Sequence, residues 1–112
     1  MSKHRLQPLL KPSSIAIIGA SQKIGSVGNE VFKNLKRGGF EGELVGVNPG
    51  YTNIEGQDCY PTLKDIPFLP EHVIFAISDQ RIEEALDDVI ALGIPACTIF
   101  SALIIVITKL NA

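Results

Sequence analysis

The sequence has few cysteines, and their arrangement excludes the common kinds of cysteine site. Cys59 and Cys97 are the only two, and neither belongs to a CxxC pair. Together with His4 and His72 they do not show the usual spacing of metal ligands, so we predict no metal site. We interpret both thiols as reduced and structural, as is typical of cytoplasmic proteins.

The sequence also lacks a basic cluster, a secretion signal and a long apolar run. The net charge is −2, which argues against binding to nucleic acid or to an anionic membrane surface. The stretch "MSKHRLQPLLKPSS" has no apolar signal core. The apolar stretch "IIVI" is far shorter than the roughly 20 residues that a membrane-spanning helix needs. We therefore predict a cytoplasmic protein with no membrane partner.

The composition is typical of one globular domain. Of the 112 residues, 46% are apolar and 20% are charged, which is enough for a single hydrophobic core. Short apolar stretches predict buried strands at "SIAIIGA", "ELVGVNP", "HVIFAIS" and "PACTIF". The stretch "LIIVITKL" predicts a fifth strand or a longer continuation.

Helical patterns alternate with these strands. The first predicted helix follows Ser26 and ends at Gly38, and the second is capped by Asp79 and ends at Gly93. Residues 50–70 are loop-rich, with one short helix capped by Thr62. This order predicts an α/β fold, a doubly wound parallel sheet with helices on both faces. Ligands of such sheets bind beyond the carboxyl ends of the strands.

The stretch "IAIIGASQKIGSVG" joins the first strand to the first helix. Unpaired amides and the helix dipole favour an anion at such a helix start. Gly19 and Gly25 permit backbone angles and a close approach that a Cβ would block, and Gly28 removes bulk where the helix meets the strand or a phosphate. The loop adds two hydroxyls and one positive charge, from Ser21, Ser26 and Lys23. This chemistry fits a phosphate or a diphosphate.

Other interpretations of the glycine-rich turn stay open. It could be a tight strand–helix link without a ligand. It is not the Gly-x-Gly-x-x-Gly of dinucleotide enzymes, since Ala20 and Ser21 stand at the central pair, and it lacks the Gly-Lys-[Ser/Thr] of triphosphate loops. After the second strand, Asn48-Pro49 stands where nicotinamide sites carry an acidic residue. That pair favours a ligand phosphorylated on its ribose, or one with its adenosine placed differently, although Asn-Pro is also an ordinary turn.

Four segments resemble one family in order and spacing: "LLKPSSIAIIGAS", "GSVGNEVFKNLKRGGFEGELVGVNP", "GQDCYPTLKDIP" and "HVIFAIS". Together they resemble the coenzyme A-binding domain of the NDP-forming acyl-CoA synthetases. That domain is similar to the N-terminal domain of the succinyl-CoA synthetase alpha subunit, and also occurs in some protein lysine acetyltransferases. The resemblance covers about residues 9–102, so we treat 1–112 as one CoA-binding-like domain.

The resemblance implies a Rossmann-like fold that holds CoA across its strand ends. Backbone amides and serines would hold phosphate oxygens, Lys23 would reach a phosphate, and Val27 and Ile77 would pack on adenine or pantetheine. The residues that match the family's site are Gly19, Ala20, Ser21, Lys23, Gly25, Ser26, Val27, Asn48, Pro49, Ala76, Ile77 and Ser78.

The sequence departs from the family in two places. Ser78 stands where the family usually has proline, which leaves that wall of the crevice less rigid, and the residues after Ser101 do not follow the family's pattern. The phosphohistidine domain of the synthetases does not follow, and His4 and His72 match no catalytic position. We interpret both histidines as surface or strand-edge residues and predict no catalytic residue. The tail "ALIIVITKLNA" is either a last strand or an altered end with an exposed apolar edge, and we expect oligomers in either case.

Three functions follow from these observations. The first is a non-catalytic module that binds CoA or an acyl-CoA, alone or as the detached part of a synthetase whose other domains would be its partners. The second is an NAD(H)-binding domain of an oxidoreductase or redox sensor, against which Asn48 argues. The third is a relic of the fold without a small-molecule ligand.

Overall fold

The computed structural model describes residue 7 and residues 11–77, 79–99 and 104–107. In chain order its elements are β1 (Ser14–Ile18), α1 (Val27–Arg37), β2 (Glu43–Val47), β3 (Asn53–Ile54), β4 (Gln57–Tyr60), a 3₁₀ helix (Leu63–Asp65), β5 (His72–Phe75), α2 (Asp79–Leu92), β6 (Ala96–Ile99) and β7 (Ile104–Ile107). The predicted alternation of strands and helices is confirmed.

The strands form one sheet in the order β3-β4-β2-β1-β5-β6-β7. The five central strands are parallel, whereas β3 and β7 run antiparallel to their neighbours. The predicted doubly wound parallel sheet is therefore confirmed, with an antiparallel strand added at each edge. The edges reverse because residues 55–56 and 100–103 are the only links there, and a parallel crossover needs about a dozen residues.

The sheet is doubly wound, as predicted, and β1 lies at its centre. From β1 the chain passes through α1 to β2 on one side, and from β5 it passes through α2 to β6 on the other. The winding direction thus reverses between β1 and β5. In open α/β sheets the ligand crevice lies outside the carboxyl ends of the strands at this reversal.

Alternate residues of β1 face two separate cores, which explains why the strand is apolar throughout. Ile15 and Ile17 pack with Phe32 of α1 on one face of the sheet. Ala16 packs with Val89 of α2 on the other face. Helices cover both faces, as the sequence predicts.

The helix ends follow the capping residues. Ser26 caps α1, because its hydroxyl oxygen accepts the Asn29 N–H, and the Gly38 N–H closes the helix on the Asn34 carbonyl. Asp79 is the first residue of α2 rather than a cap before it, so that prediction is wrong by one position. Gly93 ends α2 with a φ of 77°, a conformation that favours glycine.

Residues 50–70 contain more structure than the sequence predicts. β3 and β4 form a short antiparallel pair, with Gly56 in the turn at a φ of 85°. Thr62 is the N-cap residue of the short helix, as predicted, but the bonds there are accepted by the Asp65 carboxylate, from the Thr62 N–H and hydroxyl at 3.1 and 2.8 Å. The helix that follows is a 3₁₀ helix of three residues.

His72 differs from its predicted surface or edge position. It lies within β5 on the face of the sheet that α1 covers in part, and it is buried. Its Nε2 lies 2.8 Å from the Thr98 hydroxyl on β6. His4 lies outside the described residues, whereas Cys59 and Cys97 are both buried and neither forms a disulfide. None of the helices in the described ranges has the length and apolarity needed to cross a bilayer.

Candidate functional site

Three turns meet at the carboxyl edge of the sheet, after β1, β2 and β5. The Gly19 N–H donates to the Val47 carbonyl at 2.9 Å, and the Ala76 N–H donates to the Ile18 carbonyl at 2.8 Å. These bonds extend the parallel ladder by one residue beyond each strand. The structure therefore brings together the three turns that contain the residues predicted for the site, apart from Ser78, which lies outside the described residues.

Gly19 and Gly28 allow the backbone to approach itself closely. A Cβ on Gly28 would lie 1.9 Å from the Gly19 carbonyl oxygen, and a Cβ on Gly19 would lie 2.3 Å from the Ala76 carbonyl oxygen. Gly19 also has a φ of +89°. Gly28 therefore allows α1 to pack against the turn after β1, and Gly19 allows that turn to pack against the turn after β5.

Gly25 has a different role, although its φ is also +89°. No atom lies within 4 Å of the position that its Cβ would occupy. The loop is thus open to approach at this point. Its neighbours are exposed as well: Ile24 is 83% and Val27 is 55% exposed.

The two serines of the loop bind the loop itself. The Ser21 hydroxyl oxygen accepts the Lys23 N–H at 2.9 Å, and lies 3.4 Å from the Tyr51 hydroxyl. The Ser26 hydroxyl donates to the Lys23 carbonyl at 2.8 Å while its oxygen accepts the Asn29 N–H at 3.2 Å. Because the hydroxyl proton of Ser26 is already used, its first role is to shape the loop.

Asn29 is a residue of the site that sequence reasoning missed. It is fully buried in the first turn of α1, and its side-chain nitrogen donates to the Ser21 carbonyl at 2.8 Å. Its backbone N–H donates to the Ser26 hydroxyl oxygen, so Asn29 links both Ser21 and Ser26 of the loop to the helix. Its Oδ1 is buried and has no hydrogen-bond partner among the described residues. The signal in the sequence is an asparagine three residues before Phe32, on the buried face of the helix.

The start of α1 offers donors to a ligand. The first amides of a helix have no intrahelical acceptor. Ser26 takes the Asn29 N–H with its hydroxyl and the Glu30 N–H with its carbonyl. The N–H groups of Val27 and Gly28 are the other first amides of the helix; Val27 is exposed and Gly28 is buried, and the exposed Lys23 and Gly25 precede them in the loop. This arrangement can hold an anion on backbone donors, with one cation nearby.

Asn48 joins the turn after β2 to the glycine loop. Its side-chain nitrogen donates to the Ala20 carbonyl at 3.0 Å, and its Oδ1 accepts the Gly50 N–H at 2.8 Å. Pro49 beside it is exposed. Both functional ends of the Asn48 side chain are thus engaged within the protein, so this asparagine positions the turn.

Cys59 lies behind the same turn. Its thiol lies 3.6 Å from the Asn48 carbonyl and donates to it. Burial raises the pKa of the Cys59 thiol above its ordinary value, and this effect outweighs the bonds with the backbone of Asn48 and Tyr60, which lower it. Cys59 is therefore a protonated structural thiol at neutral pH.

A cavity of about 210 Å³ opens on the α2 side of the same edge. Its apolar wall includes Ile18, Val47 and Ile77, at the ends of β1, β2 and β5. Thr62 and Leu63 line it from the 3₁₀ helix, and α2 contributes three charged side chains: Arg81, Glu84 and Asp88. Sequence reasoning missed the cavity because only the tertiary placement of α2 against the 3₁₀ helix creates it.

Comparisons with known proteins agree on one family. A family model described as a CoA binding domain matches residues 13–109. The ADP-forming acetate–CoA ligase II of Archaeoglobus fulgidus is 35% identical over 97 residues, a match that covers 87% of this chain. The chain spans only 14% of the length of that ligase.

Two solved structures have the same fold. The apo form of the dinucleotide-forming acetyl-coenzyme A synthetase 1 of Ca. Korarchaeum cryptofilum superposes with a TM-score of 0.80 at 28% identity, over 83% of this chain and 20% of that one. A conserved hypothetical protein from Pyrococcus furiosus superposes with a TM-score of 0.70 at 28% identity, over 77% of this chain and 72% of that one. The Rossmann-like α/β fold that the resemblance implies is therefore confirmed.

Proposed function

This chain belongs to the CoA-binding domain family of the NDP-forming acyl-CoA synthetases, and from that premise we propose that it binds CoA or an acyl-CoA on the loop between β1 and α1. The observation that carries the proposal is the start of α1, whose first amides, those of Val27 and Gly28, follow a loop that is open at Gly25. Backbone donors at a helix start suit the diphosphate of CoA.

The residues present fit such a ligand. Lys23 is exposed and close in sequence to both amides, so it would add a positive charge for a phosphate. The exposed side chain of Val27 would pack on an apolar part of the ligand, as would Ile77 across the edge. Ser21 and Ser26 would hold the loop in shape, since the Ser21 oxygen accepts the Lys23 N–H and the Ser26 hydroxyl donates to the Lys23 carbonyl.

The alternative of NAD(H) finds no support in the comparisons, which point to CoA. The structure gives a physical reason in addition. The residue after β2 is Asn48, whose side chain is bonded to the Ala20 carbonyl and the Gly50 N–H. It therefore offers no free carboxylate to the two hydroxyls of an adenosine ribose.

We propose no catalytic residue in this chain. Its relative from Archaeoglobus fulgidus is an ADP-forming acetate–CoA ligase roughly six times as long, since the 97 matched residues cover 14% of it. We propose that the chain acts either as the CoA-binding part of such a ligase, in association with the other domains, or as a module of its own in the cytoplasm. The similar small protein from Pyrococcus furiosus favours a module, because this chain covers 72% of it.

Two matched variants test the proposed ligand and its site. Gly25→Asp and Gly39→Asp both place an aspartate at a positive φ with nothing within 4 Å of its Cβ. The strain is therefore similar, but only the first puts a negative charge at the proposed phosphate site. Isothermal titration with CoA should show binding by the wild type and by Gly39→Asp, and at least about a tenfold loss for Gly25→Asp. Equal affinity in the two variants, or no binding by the wild type, would contradict the proposal.

A further inference from the structure

The two edges of the sheet differ in how the sequence protects them. β3 forms one edge and is only two residues long, Asn53–Ile54. The turn after it begins with Glu55, and Asp58 lies opposite Asn53 on β4. Short strands and charged side chains are features that keep natural sheet edges from pairing with other chains. β3 is therefore poorly suited to accept a further strand.

β7 forms the opposite edge and lacks this protection. All four of its residues pair with β6, and within the part of the chain that the structure describes no strand lies on its outer side. Its sequence is Ile-Ile-Val-Ile, in which every residue is β-branched, and the chain carries no charged residue between Asp88 and Lys109. The outward N–H and C=O groups of such an edge form a template for another strand.

We propose that β7 pairs with β7 of a second copy of this chain, antiparallel and about a two-fold axis, so that two seven-stranded sheets join into one. The proposal goes beyond the proposed function, because the interface is formed without CoA. Residues paired across neighbouring strands share a face of the sheet. Pairing of three or more residues within 104–107 therefore places either Ile105 or Val106 opposite its own copy.

A second copy is the occupant that this edge suits best. Every pair formed within 104–107 joins two β-branched residues, and no like charges lie opposite each other, so the edge is complementary to itself. Because β3 is short and flanked by acidic residues, the copies join at one edge only. The association then closes at a dimer, as a two-fold interface does, and does not continue into a filament.

Sedimentation equilibrium over a range of protein concentrations tests this interface. The wild type should have twice the mass of one chain at the higher concentrations and dissociate on dilution. Ile105→Lys and Val106→Lys each place a charge on the edge strand and should raise the Kd of the dimer by at least about tenfold. Asn53→Lys is the matched control, because it places the same charge on the opposite edge, and it should leave the Kd unchanged.

A charge exchange distinguishes a lost interface from a lost fold. Lysine and glutamate variants are made at position 105 and again at position 106, and the two variants of each position are mixed in equal amounts. At the position that lies opposite itself, the mixture should form a heterodimer although neither variant dimerises alone, because opposite charges then face each other. Recovery at neither position would contradict the two-fold pairing.

Three further results would overturn the proposal. They are a wild type that stays monomeric at every concentration, a dimer that both lysine substitutions leave intact, and a wild type that grows beyond the dimer. Isothermal titration with CoA gives an independent readout, since the lysine variants should bind CoA as the wild type does. Loss of the dimer with CoA binding retained separates this interface from the proposed function.

Discussion

On the α1 side of the carboxyl edge, backbone groups and short side chains fix the shape of the site, whereas on the α2 side longer side chains line an open cavity. The first region is held by Gly19, Gly28 and a buried Asn29. The second has an apolar wall and three charged residues from one helix. This difference predicts that substitutions in the first region lower stability together with binding, whereas substitutions in the second change binding and specificity alone.

The largest effect should come from Gly28→Ala. The added Cβ would lie 1.9 Å from the Gly19 carbonyl oxygen, so α1 would have to move away from β1. We expect a loss of about 3 kcal/mol in the free energy of unfolding, the upper part of the range for overpacking. Urea denaturation followed by circular dichroism measures this loss.

Gly25→Ala is the control for that substitution. Its Cβ would meet no atom within 4 Å, so only the strain of a φ of +89° remains. We expect that strain to lower the free energy of unfolding by about 1–2 kcal/mol. Equal losses for the two alanine variants would show that α1 does not pack against the turn as closely as described.

Asn29→Ala should come next in size. It removes the donor to the Ser21 carbonyl and leaves a small void, which we expect to cost about 2 kcal/mol. The same variant should weaken CoA binding, because the loop loses its anchor. Asn34→Ala, at an exposed position of the same helix, should change stability by less than about 0.5 kcal/mol. A stable Asn29→Ala protein with normal CoA affinity would refute the anchoring role.

Ser26→Ala tests the N-cap of α1, where the loop joins the helix. The substitution removes the oxygen that accepts the Asn29 N–H and the hydroxyl that binds the Lys23 carbonyl. The loss of an N-cap typically costs about 1 kcal/mol. Thermal denaturation should show the decrease, and Ser26→Asp should recover most of it, since an aspartate also caps a helix. No recovery by aspartate would mean that the cap is not what the serine contributes.

The smallest effect concerns the pKa of Cys59 behind the turn after β2. Burial raises the pKa of its thiol in the folded state above the ordinary value of 9.0. The unfolded chain therefore loses the proton first as the pH rises, and the free energy of unfolding falls from about pH 9 upward. Below that pH both states keep the proton and Cys59 adds no slope.

The Cys59→Ala variant isolates this contribution. Its free energy of unfolding, measured by urea denaturation from pH 8 to 10.5, should fall less steeply than that of the wild type, because the other titrating groups are common to both. Parallel slopes would contradict the raised pKa.

The sequence was informative where backbone chemistry decides the structure. The loop was predictable from its glycines, because Gly19 and Gly25 have a positive φ and Gly28 lies where the backbone leaves no room for a Cβ. β1 was recognisable because both of its faces are apolar, which is typical of a buried parallel strand.

The features that escaped prediction depend on contacts distant in the chain. β3 and β4 are short and lie at the sheet edge, where periodicity carries little signal. β7 reverses because of the length of its connection, and its composition alone would suit either direction. His72 is buried by neighbouring strands, and the cavity beside Arg81 exists only once α2 and the 3₁₀ helix are in place.

The most direct test of the central claim is a titration of ¹⁵N-labelled protein with CoA, followed by amide chemical shifts. The account predicts that the largest changes fall on the amides of Gly25, Val27 and Gly28, at the start of α1. Changes confined to other parts of the chain, with these three amides unmoved at saturating CoA, would contradict it.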